Sequence, residues 1–125
     1  MPEIQVIFYQ ETNGNVPVLA WLDALLPKVK AKCIVKIERL QKLGYGLRRP
    51  ESDYLRDDIY ELRIAYRGIQ YRLLYFFWGR NATVISHGIV KEQRVPSTEI
   101  NLAIQRKRNF EQNPRRHTYS LENDS

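Results

Sequence analysis

The chain has 125 residues, enough for one domain, and a domain of this length buries about two thirds of the surface of its unfolded chain. Its composition, 43% hydrophobic and 27% charged, excludes a disordered chain, and one cysteine with two histidines excludes an internal disulfide and a complete His/Cys zinc site. Twenty Lys and Arg residues against fourteen Asp and Glu residues yield a net charge of +6, which makes nucleic acid a reasonable partner.

The first half of the chain predicts a strand followed by two helices. Apolar and polar residues alternate over 4–9, as a strand requires. We expect a first helix over about 16–26, capped by Asn15 and ended by Pro27, and a second over about 28–43. These elements predict a helical hairpin packed against a sheet.

A stripe of basic residues runs along the second predicted helix, one position before each residue of its apolar stripe. Its members are Lys28, Lys32, Lys36 and Arg39. Such a stripe is either a solvated helix face or a surface that follows an RNA backbone, and the pattern leaves both open.

The second half of the chain changes to the two-residue period of strands. After a polar loop over 46–58, we expect three strands and a final helix capped by Ser97. Their predicted ranges are 59–66, 69–77, 82–90 and, for the helix, 98–111. The predicted class is therefore α+β, in the order β-α-α-β-β-β-α, with a small antiparallel sheet packed against the N-terminal helical hairpin and the C-terminal helix. We expect one domain over 1–111 and a mobile tail over 112–125.

The turn between the first two of these three strands predicts which residues lie opposite one another. If Arg67-Gly68 is a two-residue turn, Arg63 lies opposite Arg72 in the middle of the sheet. Two like charges in that position repel unless something compensates. Either Glu61 joins both arginines in a structural network, or the arginines form a phosphate site, since guanidinium groups bind phosphate through two parallel hydrogen bonds.

The third strand of this sheet carries His87 and Lys91. An even number of loop residues around 79–81 places both side chains on the face of Arg72, and an odd number places them on the other face. A histidine beside arginines and a lysine suits RNA cleavage, which requires proton transfer at two oxygens and stabilisation of charge on the phosphate. A histidine in a strand is also commonly structural, so this interpretation stays open.

Four motifs follow one another between residues 59 and 103. They are Ile59-Tyr-Glu-Leu-Arg63, Tyr71-Arg72-Leu-Leu-Tyr75-Phe76, His87-Gly-Ile-Val-Lys91, and Pro96-Ser-Thr-Glu-Ile100 followed by Ala103. Together they resemble the HigB-type branch of the RelE/ParE toxin superfamily, and the resemblance covers about residues 4–111.

The resemblance implies a RelE-like fold and the toxin of a type II toxin–antitoxin system, acting as a metal-independent endoribonuclease (an mRNA interferase) without a cofactor. It implies that Arg63, Arg72 and Lys91 contact phosphate or take part in catalysis, and the strand argument adds His87. The expected partners are mRNA on the ribosome, ribosomal RNA bound by the basic stripe, and a cognate antitoxin of helix-turn-helix type.

Two departures from that branch keep alternatives open. The paired lysines of the branch become Lys91-Glu92, and the chain after Phe110 has no counterpart. The alternatives are a non-enzymatic growth inhibitor that binds DNA gyrase, as ParE-like relatives do, and a degenerate or regulatory toxin homologue.

The N-terminal residues Met-Pro-Glu-Ile-Gln-Val lack the features of a signal peptide, and the longest apolar run, 73–78, is too short to span a bilayer. We therefore expect a cytoplasmic protein that does not bind membranes.

Overall fold

Nine helices and strands, with one 3₁₀ turn at Gly44–Gly46, make up the part of the chain that the structure describes. The structure is a computed structural model, and it describes residues 4–91 and 94–120, with the backbone alone for Lys91 and Ser120. In chain order the elements are β1 (Gln5–Tyr9), α1 (Pro17–Asp23), α2 (Pro27–Leu43), β2 (Ser52–Arg56), β3 (Ile59–Tyr66), β4 (Ile69–Trp78), β5 (Ala82–Lys91), α3 (Ser97–Gln112) and β6 (Thr118–Ser120).

The strands form one six-stranded sheet in the order β2-β3-β4-β5-β1-β6. All neighbours are antiparallel except β1 and β5, which are parallel. The predicted α+β class is confirmed. The parallel pair arises because the chain passes through α1 and α2 between β1 and the rest of the sheet, a crossover that parallel strands require.

The helices cover opposite faces of the sheet, which we call the hairpin face and the α3 face. On the hairpin face, α1 and α2 bury Leu22, Val29 and Leu40 against sheet residues such as Leu62 and Leu73. On the α3 face, a second apolar cluster joins α3 to the sheet; it contains Ile7, Ile59, Leu74, Phe76, Val84, Ile100, Ala103 and Phe110. The alternation of side chains along each strand thus supplies both cores.

The β3–β4 hairpin has the register predicted from its turn. Arg67 and Gly68 both have positive φ, 50° and 80°, as a two-residue turn of this kind requires. Tyr66 pairs with Ile69, and Arg63 lies opposite Arg72. Tyr71 and Tyr75 of this hairpin are buried in the core of the hairpin face.

A bulge in β5 decides the face on which His87 lies. Trp78 pairs with Ala82 across a three-residue turn, an odd number that would place His87 on the hairpin face. The register shifts between Leu74 and Tyr75, where Ser86 is the extra residue, so that His87 pairs with Leu74 on the α3 face. His87 and Ile89 therefore share a face with Arg72, as the even-loop case predicted, although the bulge and not the loop brings this about.

Several local predictions are wrong. Pro27 begins α2 and does not end α1, which stops at Asp23. Val16 and not Asn15 is the N-cap of α1, and Ser97 lies inside α3 and does not cap it. Proline at the start of a helix costs nothing, because the first N–H groups have no partner within the helix.

Two strands appear where we expected a loop and a tail. The predicted loop over 46–58 contains β2, which pairs with β3 at the edge of the sheet. The predicted mobile tail is wrong as far as Ser120, because α3 continues to Gln112 and β6 then pairs with β1. His117 stacks on Tyr9, with ring centroids 5.0 Å apart, and holds β6 at that edge. Residues 121–125 of the predicted tail lie outside the described residues.

Among the helices of residues 4–91 and 94–120, we find none with the length and apolar character needed to cross a membrane.

Candidate functional site

Two arginines on the α3 face are joined by one buried carboxylate. Glu61 is 5% exposed; its Oε1 lies 2.9 Å from Nε of Arg72, and its Oε2 accepts a hydrogen bond from Nε of Arg63 at 2.9 Å. Arg72 also donates to Oε1 of Gln70 and to the backbone oxygen of Tyr71, both at 3.1 Å. The predicted Arg–Glu–Arg network is therefore present, and it removes the cross-strand repulsion.

The network continues to the edge strand β2. Nη2 of Arg63 lies 3.0 Å from Oδ2 of Asp53, and Nη2 of Arg49 lies 3.0 Å from the same oxygen. These arginines hold the pKa of Asp53 below its ordinary value, chiefly through the hydrogen bond from Arg49. Three guanidinium groups and two carboxylates make the cluster net positive by one charge. We call these residues, with Glu61 and Arg72, the arginine cluster.

The two sequence-predicted arginines differ in accessibility. Arg72 is 8% exposed and three groups hold it, whereas a third of the Arg63 side chain, 33%, is open to solvent. An exposed guanidinium can exchange one carboxylate contact for another anion at small cost, whereas the same exchange costs more for a buried one. Arg63 is therefore the member of the pair that is more accessible from solvent.

His87 joins β5 to α3. Its Nδ1 lies 2.7 Å from Oγ of Ser86, and its Nε2 lies 3.0 Å from Oε1 of Glu99. Burial, together with the nearby charge of Arg106, lowers the pKa of His87 from its ordinary value despite the contact with Glu99. The imidazole is therefore neutral at pH 7, and this hydrogen-bond pattern is satisfied when Nε2 donates to Glu99 and Nδ1 accepts from Ser86.

The strand register brings the predicted catalytic positions together around Arg72. Arg63 lies directly opposite it on β3, and Ile89 lies opposite it on β5. His87 and Lys91 are the residues two positions before and after Ile89, so each is a diagonal neighbour of Arg72, about 7–8 Å away. All four positions thus lie on one patch of the α3 face. Glu92, the departure noted in the sequence, lies outside the described residues.

The basic stripe of α2 lies on the other side of the sheet and divides into two halves. Lys36 and Arg39 both contact the carboxylate of Glu51, at 3.0 Å for Lys36 Nζ and 2.8 Å for Arg39 Nη2. The hydrogen bond from Arg39 is the main reason why the pKa of Glu51 is lowered to about 2. Lys28 and Lys32 are exposed and contact no acid among the described residues. The stripe and the arginine cluster therefore do not form one continuous surface.

Sequence reasoning missed three residues that the fold adds to the site. Glu99, named there only as part of a motif, contacts His87, and Arg49 and Asp53 extend the arginine cluster. Their positions depend on how α3 and the edge strand pack, which no local pattern shows. The acidic residues that follow Arg49 in the sequence, Asp53 among them, were the pattern that could have indicated a partner for these arginines. Within residues 4–91 and 94–120, no three His, Cys, Asp or Glu side chains are placed to hold a metal ion.

The fold and site define a small basic α+β protein with paired, carboxylate-linked arginines on one sheet face. Residues 20–108 match the model of the family described as "Phage derived protein Gp49-like (DUF891)", and the chain belongs to this family. The family is associated with toxin–antitoxin systems and is related to RelE/HigB-type toxins, so it implies a cognate antitoxin as partner. A search of curated proteins finds no match.

Proposed function

We propose that this protein is the toxin of a type II toxin–antitoxin pair and a HigB-type endoribonuclease that cleaves mRNA on the ribosome without a metal ion. The observation that carries the proposal is the convergence of Arg63, Arg72, His87 and the Lys91 position on one patch of the α3 face. The matched family range contains all four residues.

The patch offers a group for each requirement of RNA cleavage. Arg63 and Arg72 hold the scissile phosphate, and Lys91 adds positive charge as negative charge grows on the phosphate oxygens. The 2′-hydroxyl gives its proton to a general base and attacks the adjacent phosphorus, the bond to the 5′-oxygen breaks, and that oxygen takes up a proton from Lys91.

Glu99 joins His87 in this proposal. Both ring nitrogens of His87 are engaged, and its side chain is only 8% exposed, whereas that of Glu99 is 36% exposed. We assign Glu99 as the general base that takes the proton of the 2′-hydroxyl, with the imidazole of His87 holding the carboxylate in place through its Nε2–H. Lys91 is the other candidate for proton transfer.

The structure also provides a specific reason to keep the second candidate, a growth inhibitor that binds DNA gyrase. The two central guanidinium groups already have carboxylate partners, and His87 has no free nitrogen. A protein that acts by binding alone needs no free catalytic group at this patch. The same observation supports the third candidate, a degenerate or regulatory toxin homologue.

Expression in a bacterial culture separates these functions. If the proposal is correct, growth stops, primer extension detects new mRNA 5′ ends that depend on translation, and co-expression of the neighbouring antitoxin restores growth. New 5′ ends that form without translation would contradict ribosome dependence. A gyrase inhibitor instead changes plasmid supercoiling and leaves mRNA intact, and a degenerate homologue does not stop growth.

A further inference from the structure

Exposed tyrosines cluster on the hairpin face at the end of β2, β3 and β4 that lies nearest Gly79. Tyr45 is 54% exposed and Tyr54 is 50% exposed, and Tyr60 lies between them, partly buried. The ring of Tyr54 packs edge-on against Tyr60, with centroids 5.2 Å apart, and Tyr45 stacks on Phe77 at 3.8 Å. We call Tyr45, Tyr54 and Tyr60 the tyrosine platform.

The fold holds these rings in fixed positions. Tyr45 donates its hydroxyl hydrogen to the backbone oxygen of Gly79 at 2.6 Å, and the hydroxyl of Tyr54 accepts the backbone N–H of Asp58 at 3.1 Å. These hydrogen bonds and the ring contacts with Phe77 and Tyr60 hold both rings at the surface. A fixed, exposed aromatic face is suited to stacking and loses little conformational entropy when a ligand binds.

Two arginines border the platform. An open groove of about 410 Å³ is lined by Tyr45, Tyr54 and Tyr60 together with Arg48 and Arg49. Arg48 is exposed and has no acidic partner among the described residues, and Arg49 is 75% exposed in its side chain. Positive charge beside aromatic rings is the arrangement with which proteins bind single-stranded nucleic acid, since the arginines meet phosphates and the rings stack on bases.

The groove is continuous with the candidate site. Arg49 and Arg63 contact the same oxygen of Asp53. An RNA strand that lies on Arg63 therefore reaches Arg49 by passing over only one β-strand, the edge strand β2. This continuity favours the RNA substrate over a protein partner as the ligand of the groove, because the RNA already lies at Arg63 in the proposed function.

We propose that the tyrosine platform, with Arg48 and Arg49, is a second RNA subsite that binds single-stranded bases flanking the cleavage point. This proposal rests on the proposed function, which supplies RNA as the substrate. It assigns a positioning role to residues that lie outside the catalytic patch, and it predicts that the strand passes from the α3 face around β2 to the hairpin face.

The test measures binding of the full chain to a fluorescent ten-nucleotide 2′-O-methyl RNA, which cannot be cleaved because it lacks the attacking hydroxyl. Tyr54→Leu should weaken binding by about 5- to 150-fold, the value of one base–aromatic stack. Tyr54→Phe keeps the ring and should bind as the parent does. Equal loss in both variants would overturn the proposal, because the hydroxyl and not the ring would then be responsible.

Arg48→Ala tests the phosphate contact, with Arg115→Ala as the matched control near the opposite edge strand, β6. Arg48→Ala should reduce the salt dependence of binding by about 0.7 in log–log slope, and Arg115→Ala should leave it unchanged.

The proposal fails if the parent does not bind the RNA, if Tyr54→Leu binds normally, or if both arginine variants lose the same slope. Cleavage of mRNA by the parent chain is measured separately. If the parent cleaves mRNA but these variants bind normally, the subsite proposal fails and the proposed function stands. If the parent binds the RNA as expected but does not cleave mRNA, the proposed function fails.

Discussion

At the scale of single residues, the central feature is a buried carboxylate shared by two arginines. Glu61 is buried and forms ion pairs with both Arg63 and Arg72. A buried charge that loses a partner destabilises a protein strongly, whereas an exposed pair contributes little. Arg72 therefore has a structural role in addition to the role proposed in phosphate binding.

We predict that Arg72→Ala lowers the free energy of unfolding by about 1–3 kcal/mol, because Glu61 and the backbone oxygen of Tyr71 lose a hydrogen-bond donor. Urea denaturation measures this change. The double variant Glu61→Gln/Arg72→Met removes both charges and should recover part of the loss. An Arg72→Ala protein as stable as the parent would show that the network contributes nothing to folding.

His87 makes stability depend on pH in a defined direction. Burial and the charge of Arg106 lower its folded pKa below that of an unfolded histidine, and Glu99 opposes them only in part, so the unfolded chain binds more protons as the pH falls. Stability is thus fully present above the unfolded pKa, about 6.5, and decreases as the pH falls below it.

We expect thermal melting of the parent to move to lower temperature between about pH 7 and pH 5. In His87→Gln the part of this shift due to the imidazole should vanish, and His117→Gln, the matched control, should retain it. A parent whose melting temperature rises on acidification in this interval would contradict the assignment of a neutral, buried His87.

At the scale of elements, the success of each prediction depends on whether the determining contacts are local. The β3–β4 register follows from a two-residue turn, so Arg63 and Arg72 could be paired from sequence. The strand β6 exists because it finds β1, more than a hundred residues away in the chain, and its polar sequence carries no sign of this. The bulge at Ser86 is equally invisible, so sequence reasoning could only state the two possible faces of His87.

The basic stripe of α2 also shows that contacts with distant parts of the chain could not be predicted from the sequence. The helical period placed its four basic residues on one line, but only the packing of Glu51 against Lys36 and Arg39 shows that two of them are already paired. The sequence could not distinguish the free half from the paired half, because Glu51 belongs to the segment that joins α2 to β2.

We predict that Lys28→Ala/Lys32→Ala weakens binding to ribosomes and lowers its salt dependence by about 0.7–0.9 in log–log slope for each lost phosphate contact. Its unfolding free energy should not change. The matched pair Lys36→Ala/Arg39→Ala should instead lower stability slightly, because Glu51 loses its partners. If the first pair leaves the salt slope unchanged, the exposed half of the stripe is only solvated surface.

At the scale of the whole molecule, both faces of the sheet carry an apolar core, and the charged groups lie beside the one on the α3 face. The hairpin face carries a large apolar core beneath two helices, while the arginine cluster and the His87–Glu99 pair lie on the α3 face. In the proposed function, this arrangement presents charged groups to a polyanion while both cores stay intact. The family match supports that interpretation, since its members are associated with toxin–antitoxin systems.

The most direct test of the account is mRNA cleavage in a reconstituted translation reaction by Arg63→Gln, compared with Arg115→Gln, which changes an exposed arginine near β6. Both variants are first shown to fold by their melting temperatures. The account predicts that Arg63→Gln cleaves at least about a hundredfold more slowly than the parent, because the transition state loses a charge-assisted phosphate contact, and that Arg115→Gln cleaves at the parental rate. A folded Arg63→Gln protein that cleaves as fast as the parent, or a parent that leaves mRNA intact while it stops growth, would contradict it.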